Sequence, residues 1–300
     1  MTNARASGRS PIDAATLLAI GALFVAMISF QLGASIAKGL FPAVGAEGAT
    51  TLRQGFAAIM LAVVLRPWRK PITRRGLPAL LLYGGALGAM NLMFYMALRT
   101  VPLGIAVTLE FVGPLGVAAA SLRKPADFLW IGLAVIGLLF LLPVQASARG
   151  IDPLGAARAL GAGGCWALYI LFGQRAGREY GTQATAYGAI VAALVAAPVG
   201  IHHAGWALLA PAILPAALAL AALSSAVPYT LEMIALNRMP ARAYGTLTSV
   251  EPAIGSLVGL VFLHEALTVV QWVAIGAIVL ASIGTALTIR PAATIAPDAG

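Results

Sequence analysis

The chain has 300 residues, of which 60% are hydrophobic and only 10% charged, with a formal net charge of +9. A soluble domain carries roughly 25% charged residues, so water is excluded as the main solvent and lipid is expected around most of the chain. The basic residues lie in short clusters between apolar runs, which argues against nucleic acid as a partner and marks them as loop charges.

A window of about 20 residues, the length that crosses a bilayer, places spans near 14–37, 49–66, 77–98, 102–121, 127–144, 154–174, 184–201, 212–236, 242–262 and 269–289. The first follows Arg5 and Arg9. It outruns the roughly 7–15-residue core of a signal peptide and ends at Lys38, so it is expected to remain attached as the first span. Pro67, Pro71, Pro102, Pro125, Pro153 and Pro240 fall at or near span ends, where a missing N–H does least harm. Pro114, Pro228 and Pro252 fall inside spans. Each frees a backbone carbonyl that protein or water must satisfy, which favours kinked helices around a cavity.

With the N-terminus taken as cytoplasmic, fourteen of the nineteen Lys and Arg residues fall on the cytoplasmic side. Lys38, Arg99, Arg149 and Arg158 fall on the other side, and Arg53 lies inside a span. The positive-inside rule therefore predicts both termini in the cytoplasm and an even number of spans. The expected organisation is a cytoplasmic tail over 1–13, a first five-helix repeat over 14–144, a second over 154–289 and a cytoplasmic tail over 290–300.

The two repeats are read from an internal match. Setting Ala97-Leu98 on Ala235-Leu236 brings Pro102 onto Pro240 and Pro114 onto Pro252, and a short insertion brings Trp130 onto Trp272 and Ile136 onto Ile278. Five spans per copy is odd, so the second copy must be inverted in the membrane. The predicted fold is thus an all-α integral membrane protein of ten transmembrane helices in two inverted five-helix repeats. Transporters use that symmetry to exchange outward- and inward-facing states around a midplane site.

An ionised side chain at mid-membrane costs about 2.5–3.5 kcal/mol on insertion scales, so each one needs a reason. Glu110 in span four and Glu251 in span nine fall roughly 12–14 Å deep at 1.5 Å per residue. They occupy nearly equivalent places in the two repeats, as proton carriers or amine receptors would. Arg53 in span two lies at a similar depth and could pair with Glu110, or snorkel outward and brace two helices. Glu232, near the cytoplasmic end of span eight, has two open readings: a pathway residue, or an interfacial partner of Arg238 or Arg242. Asn91 and Tyr95, four apart, share one face of span three, and Trp166 and Tyr169 share one face of span six. These faces suit a polar solute, whereas Trp68, Trp206 and Trp272 suit interfacial anchors. Gly84 with Gly88, and Gly255 with Gly259, read as helix-packing pairs.

Enzymatic and metal chemistry find no support. Cys165 is the only cysteine, so no internal disulfide can form. His202, His203 and His264 have no partner at metal-ligand spacing, and no phosphate-binding G-x-x-x-x-G-K-[ST] loop occurs. No metal and no cofactor are expected.

Ser249-Val250-Glu251-Pro252-Ala253, continuing through Gly259 to Leu263-His264-Glu265-Ala266-Leu267-Thr268, resembles the closing signature of EamA-type carriers in the drug/metabolite transporter superfamily. Four further segments are similar to a bacterial inner-membrane branch that exports threonine and homoserine: Gly33–Lys38, Val101–Val107 with Leu109-Glu110-Phe111, Cys165–Leu171, and Leu231–Leu236. The resemblance covers roughly residues 15–290. It implies ten helices in two repeats and proton-driven efflux of small neutral amino acids by alternating access. In that scheme Glu110 or Glu251 takes a proton from outside, and Arg53 with the aromatics holds the zwitterion. A broader metabolite, aromatic amino-acid or drug exporter, or a passive facilitator of the same fold, stays open. One departure is His264, which stands where the family usually has glycine.

Overall fold

A computed structural model describes residues 14–97, 99–101, 103–120, 125–141, 152–251, 253–254, 257 and 268–288. The tails and the sequence motif around Pro252, Gly255, Gly259 and His264 lie outside the described residues. Among the described residues the chain is helical and contains no strand. That is the economical answer for an apolar chain in lipid, since a helix satisfies its own backbone.

The helices are α1 (Ala14–Leu65), α2 (Leu77–Ala97), α3 (Leu103–Ala120), α4 (Pro125–Leu141), α5 (Pro153–Tyr180), α6 (Gln183–Ala204), α7 (Leu214–Ala221), α8 (Val227–Arg238), α9 (Ala241–Thr248) and α10 (Val269–Thr288). Five stretches are long and apolar enough to cross a membrane: Gly39–Leu65, Leu77–Ala97, Pro153–Tyr180, Gln183–Leu209 and Leu214–Arg238. Shorter apolar helices cover Ala14–Phe30, Leu109–Ala120, Phe128–Phe140 and Val269–Thr285.

A loop was expected between the first two spans, but helix α1 runs through it and breaks only at Gly45 (φ 69°, ψ 176°). Residues with a Cβ rarely reach that region, and Pro42 just before it already lacks an N–H. The break reverses the chain. Ser29 Oγ donates to the Leu223 carbonyl (2.6 Å) and Arg53 Nη1 to the Ser224 carbonyl (3.1 Å). In a straight helix residues 29 and 53 would stand about 36 Å apart. The two arms of α1 therefore lie side by side, and Leu40, Val44, Ala49 and Leu52 pack together on Leu220.

Between α7 and α8 lies a π-helical turn, Ala222–Ala226, followed at once by Pro228. Pro228 has no N–H for the carbonyls of Leu223 and Ser224, which stand five and four residues before it. Ser29 and Arg53 bind those two freed carbonyls. The interior proline thus makes an acceptor pair inside the bundle, as its position in the sequence suggested.

Small residues set the helix crossings. A Cβ on Gly84 would lie 2.6 Å from the Gly188 carbonyl, and one on Gly88 2.9 Å from that of Ala192, so α2 and α6 touch backbone to backbone. Gly113 of α3 meets Gly163 of α5 even more closely. Outward faces carry exposed Val63, Val64, Leu81, Leu139, Leu194 and Leu287, an apolar surface that suits lipid. Trp68 and Trp206 are exposed at opposite ends of the bundle, as interfacial anchors would be. Asp152 caps α5; the Thr100 hydroxyl and the Gly155 N–H hold its carboxyl below the usual range.

Candidate functional site

Arg53 sits eight residues past the Gly45 break, about 12 Å into the bundle, and is only 5% exposed. Its Nη2 donates to Asn91 Oδ1, its Nη1 to the Ser224 carbonyl, and its guanidinium lies 5.7 Å from the Tyr95 ring centre. Asn91 is fixed in turn by its Nδ2 donating to the Leu87 carbonyl (2.8 Å). Asn91 and Tyr95 thus share a face of α2, as their spacing predicts, and that face is aimed at Arg53. Arg53 is held in the interior and does not snorkel.

Three buried polar atoms at this place have no hydrogen-bond partner: Arg53 Nε, Gln54 Oε1 and Ser225 Oγ. Buried polar groups are normally paired, so this cluster has donor and acceptor capacity to spare for a polar solute. Gln54 donates to the Tyr229 hydroxyl (3.0 Å), and Tyr229 packs on Phe30. Tyr95 is walled by Phe41 and Phe94. The result is a buried cationic, hydrogen-bonding cluster bordered by aromatic rings.

Glu110 is buried on α3, where its backbone packs against Gly163 of α5. It acts electrostatically with Arg53 and with Glu251, but the hydrogen bonds of Arg53 go to Asn91 and Ser224. Arg53 therefore has a partly neutral shell. Trp166, one turn further along α5, packs edge-on against Phe111 (4.8 Å between ring centres) and walls the Glu110 level.

Glu232 forms a second centre. It is 4% exposed, and its two carboxylate oxygens accept from the Tyr169 and Tyr244 hydroxyls, each at 2.8 Å. Tyr83 stacks on Tyr169 at 5.1 Å. Of the two arginines expected as alternative partners, Arg238 is exposed on the surface and the side chain of Arg242 lies outside the described residues; among the described residues the partners of Glu232 are the two tyrosines. Along α5, Tyr169 lies six residues beyond Gly163, which separates the Glu232 and Glu110 levels by about 9 Å. Glu251 acts electrostatically on Glu110 and is itself acted on by Glu232.

At the end of the bundle opposite Arg238, Glu47 is buried and paired with Arg99, with His203 Nε2 at 3.7 Å. This cluster ties α1, the end of α2 and the end of α6 together. Sequence reading passed over Glu47, Gln54, Tyr83, Tyr229 and Tyr244. Two of them had a signal: Tyr229 adjoins the interior Pro228, and Gln54 adjoins Arg53. Among the described residues no cluster of three or more His, Cys, Asp or Glu could hold a metal.

Residues 153–287 match the model of the EamA-like transporter family. The threonine/homoserine exporter RhtA of Escherichia coli is 52% identical over 273 residues, spanning 91% of this chain and 92% of the relative. The chain belongs to the EamA-like transporter family. The exporter of the same name from Salmonella typhimurium matches to the same extent. An uncharacterised transporter of Bacillus subtilis is 27% identical over 87% of the chain and 92% of its own length. A crystal structure 20% identical in sequence superposes with a TM-score of 0.70 over 90% of this chain and 96% of its own, which shows a shared fold. This EamA-type chain is therefore a membrane-spanning transporter and not an enzyme.

Proposed function

We propose that this EamA-type carrier exports small neutral amino acids of the threonine and homoserine class across the bacterial inner membrane, by proton-coupled alternating access. The observation that carries the reading is Arg53: a buried cation with an unpaired Nε, bordered by Asn91, Tyr95 and other polar atoms with capacity to spare. A guanidinium is the group best matched to an α-carboxylate, and Glu110 at the next level supplies the opposite charge for an ammonium. A zwitterion satisfies both at once. The names and identities of the Escherichia coli and Salmonella typhimurium relatives support the substrate class.

Ten helices in two inverted repeats suit this machine. Three helices of the first half pack on their counterparts in the second. The second arm of α1 meets α6 through Thr51 Oγ1 donating to the Ala196 carbonyl (3.0 Å). Gly245 of α9 meets the Pro114 carbonyl of α3, and Gly137 of α4 meets Ile278 of α10. Such pairings are what a two-fold relation between halves produces, and they support the repeat boundaries 14–144 and 154–289. The charge bias of the loops supports cytoplasmic termini.

In the cycle, Glu110 or Glu251 takes a proton from outside as the amino acid leaves, and the proton is discharged inside on the return. In proteoliposomes, wild-type protein is expected to drive labelled threonine uphill under an imposed pH gradient. Glu110→Gln or Glu251→Gln is expected to lose that coupling. If both variants kept gradient-driven transport, the coupling assignment would fall.

A further inference from the structure

Resting on that proton-coupled reading, we propose that Glu232, clamped by the Tyr169 and Tyr244 hydroxyls, is the port through which the coupling proton leaves to the cytoplasm. Three features of the geometry point there. Glu232 lies six residues from the exposed Arg238, about 9 Å from the end of α8, whereas the level of Glu110, measured along α5, is about 9 Å deeper. Its carboxylate is buried, yet its hydrogen bonds come from two neutral hydroxyls, and no ion pair to it occurs among the described residues. A carboxylate so placed must either be stabilised by those hydroxyls or take a proton. Finally, its donors sit on different helices, Tyr169 on α5 and Tyr244 on α9, so its protonation state acts on helix packing.

The groups facing Glu232 are Tyr169 from α5, Tyr244 from α9, Tyr83 from α2 stacked on Tyr169, and Glu251 just beyond α9. The step is a simple transfer. An O–H bond on Glu251 breaks as one on Glu232 forms; the proton on Glu232 then passes to cytoplasmic water, leaving the carboxylate to accept both hydroxyls again. While Glu232 is protonated it accepts fewer hydroxyls, and the α5–α9 clamp loosens. Proton release and closure of the cytoplasmic end are thereby one event.

Glu232→Gln tests this in proteoliposomes, with wild type, Glu110→Gln and Glu251→Gln in parallel. Glutamine keeps the size and accepts a hydroxyl but holds no transferable proton. Expected is a fall of about 10-fold or more in pH-gradient-driven threonine transport, with threonine–threonine exchange within about 2-fold of wild type, because exchange needs no net proton release. A second variant, Tyr169→Phe with Tyr244→Phe, keeps the carboxylate but removes the donors that stabilise its ionised form. Its transport is expected to shift its pH dependence by about one unit toward alkaline pH. Unchanged gradient-driven transport in Glu232→Gln overturns the proposal, as does equal loss of exchange and coupling together with an unshifted profile in the tyrosine pair. Absence of gradient-driven transport in the wild type would instead overturn the proton-coupled reading itself.

Discussion

Arg53→Lys retains the positive charge and removes the fork. In the native protein two guanidinium nitrogens reach separate acceptors, Asn91 Oδ1 and the Ser224 carbonyl, while the third, Nε, is unpaired. A lysine ammonium is a compact point charge on a flexible stem. It cannot hold both acceptors and also present a planar pair of donors to a carboxylate. The loss is one or more charge-assisted hydrogen bonds at a site that is 5% exposed, each worth about 1.5–3 kcal/mol. At 1.4 kcal/mol per decade that predicts a weakening of threonine binding by about 10- to 150-fold. The assay is exchange transport of labelled threonine in proteoliposomes, with KM determined for threonine and for the amino alcohol that lacks its carboxylate. Thermal unfolding in detergent restricts the comparison to folded protein. Selective loss of affinity for threonine, with little change for the amino alcohol, is the expected result. An equal loss for both, or an unchanged KM for threonine, would refute the assignment of Arg53 to the carboxylate.

Gly45→Ala places a Cβ 2.7 Å from His203 Nε2 on a backbone at φ 69°, so a loss of about 2 kcal/mol and a lower unfolding midpoint are expected. Gly39→Ala on the same helix, with open space around it, is the control and should hold or raise the midpoint. Arg99→Ala strips buried Glu47 of its ion-pair partner; with Arg99 itself half-exposed, the cost should be about 1–2 kcal/mol. Adding Glu47→Gln should recover most of it, because the uncompensated charge is then gone. Each is read from thermal unfolding in detergent.

What the sequence displayed, and what it hid, follows from the range of the forces involved. Composition and hydropathy report the solvent, so an all-helical, lipid-embedded chain and the interior placing of Arg53 and Glu110 were legible from the chain alone. The break at Gly45 was not. Hydropathy marks where lipid ends, but a helix can continue past that point until one residue adopts a conformation only glycine tolerates. Pro228 announced freed carbonyls but could not say which side chains would take them; Ser29 and Arg53 stand 199 and 175 residues away in sequence. For Glu232 the sequence left two readings open, a pathway residue or an interfacial partner of Arg238 or Arg242, because proximity along the chain cannot choose between them. Burial brings to its carboxylate Tyr169 from 63 residues away and Tyr244 from the next helix. Contacts between distant helices are set by packing, and packing leaves little trace in a local pattern.

Uphill movement of labelled threonine in proteoliposomes of the purified protein, driven only by an imposed pH gradient, tests the central claim most directly. The account predicts accumulation against the threonine gradient, in the direction opposite to proton flow, and collapse of that accumulation when the pH gradient is dissipated. Threonine flux that merely equilibrates, with or without a pH gradient, would contradict it.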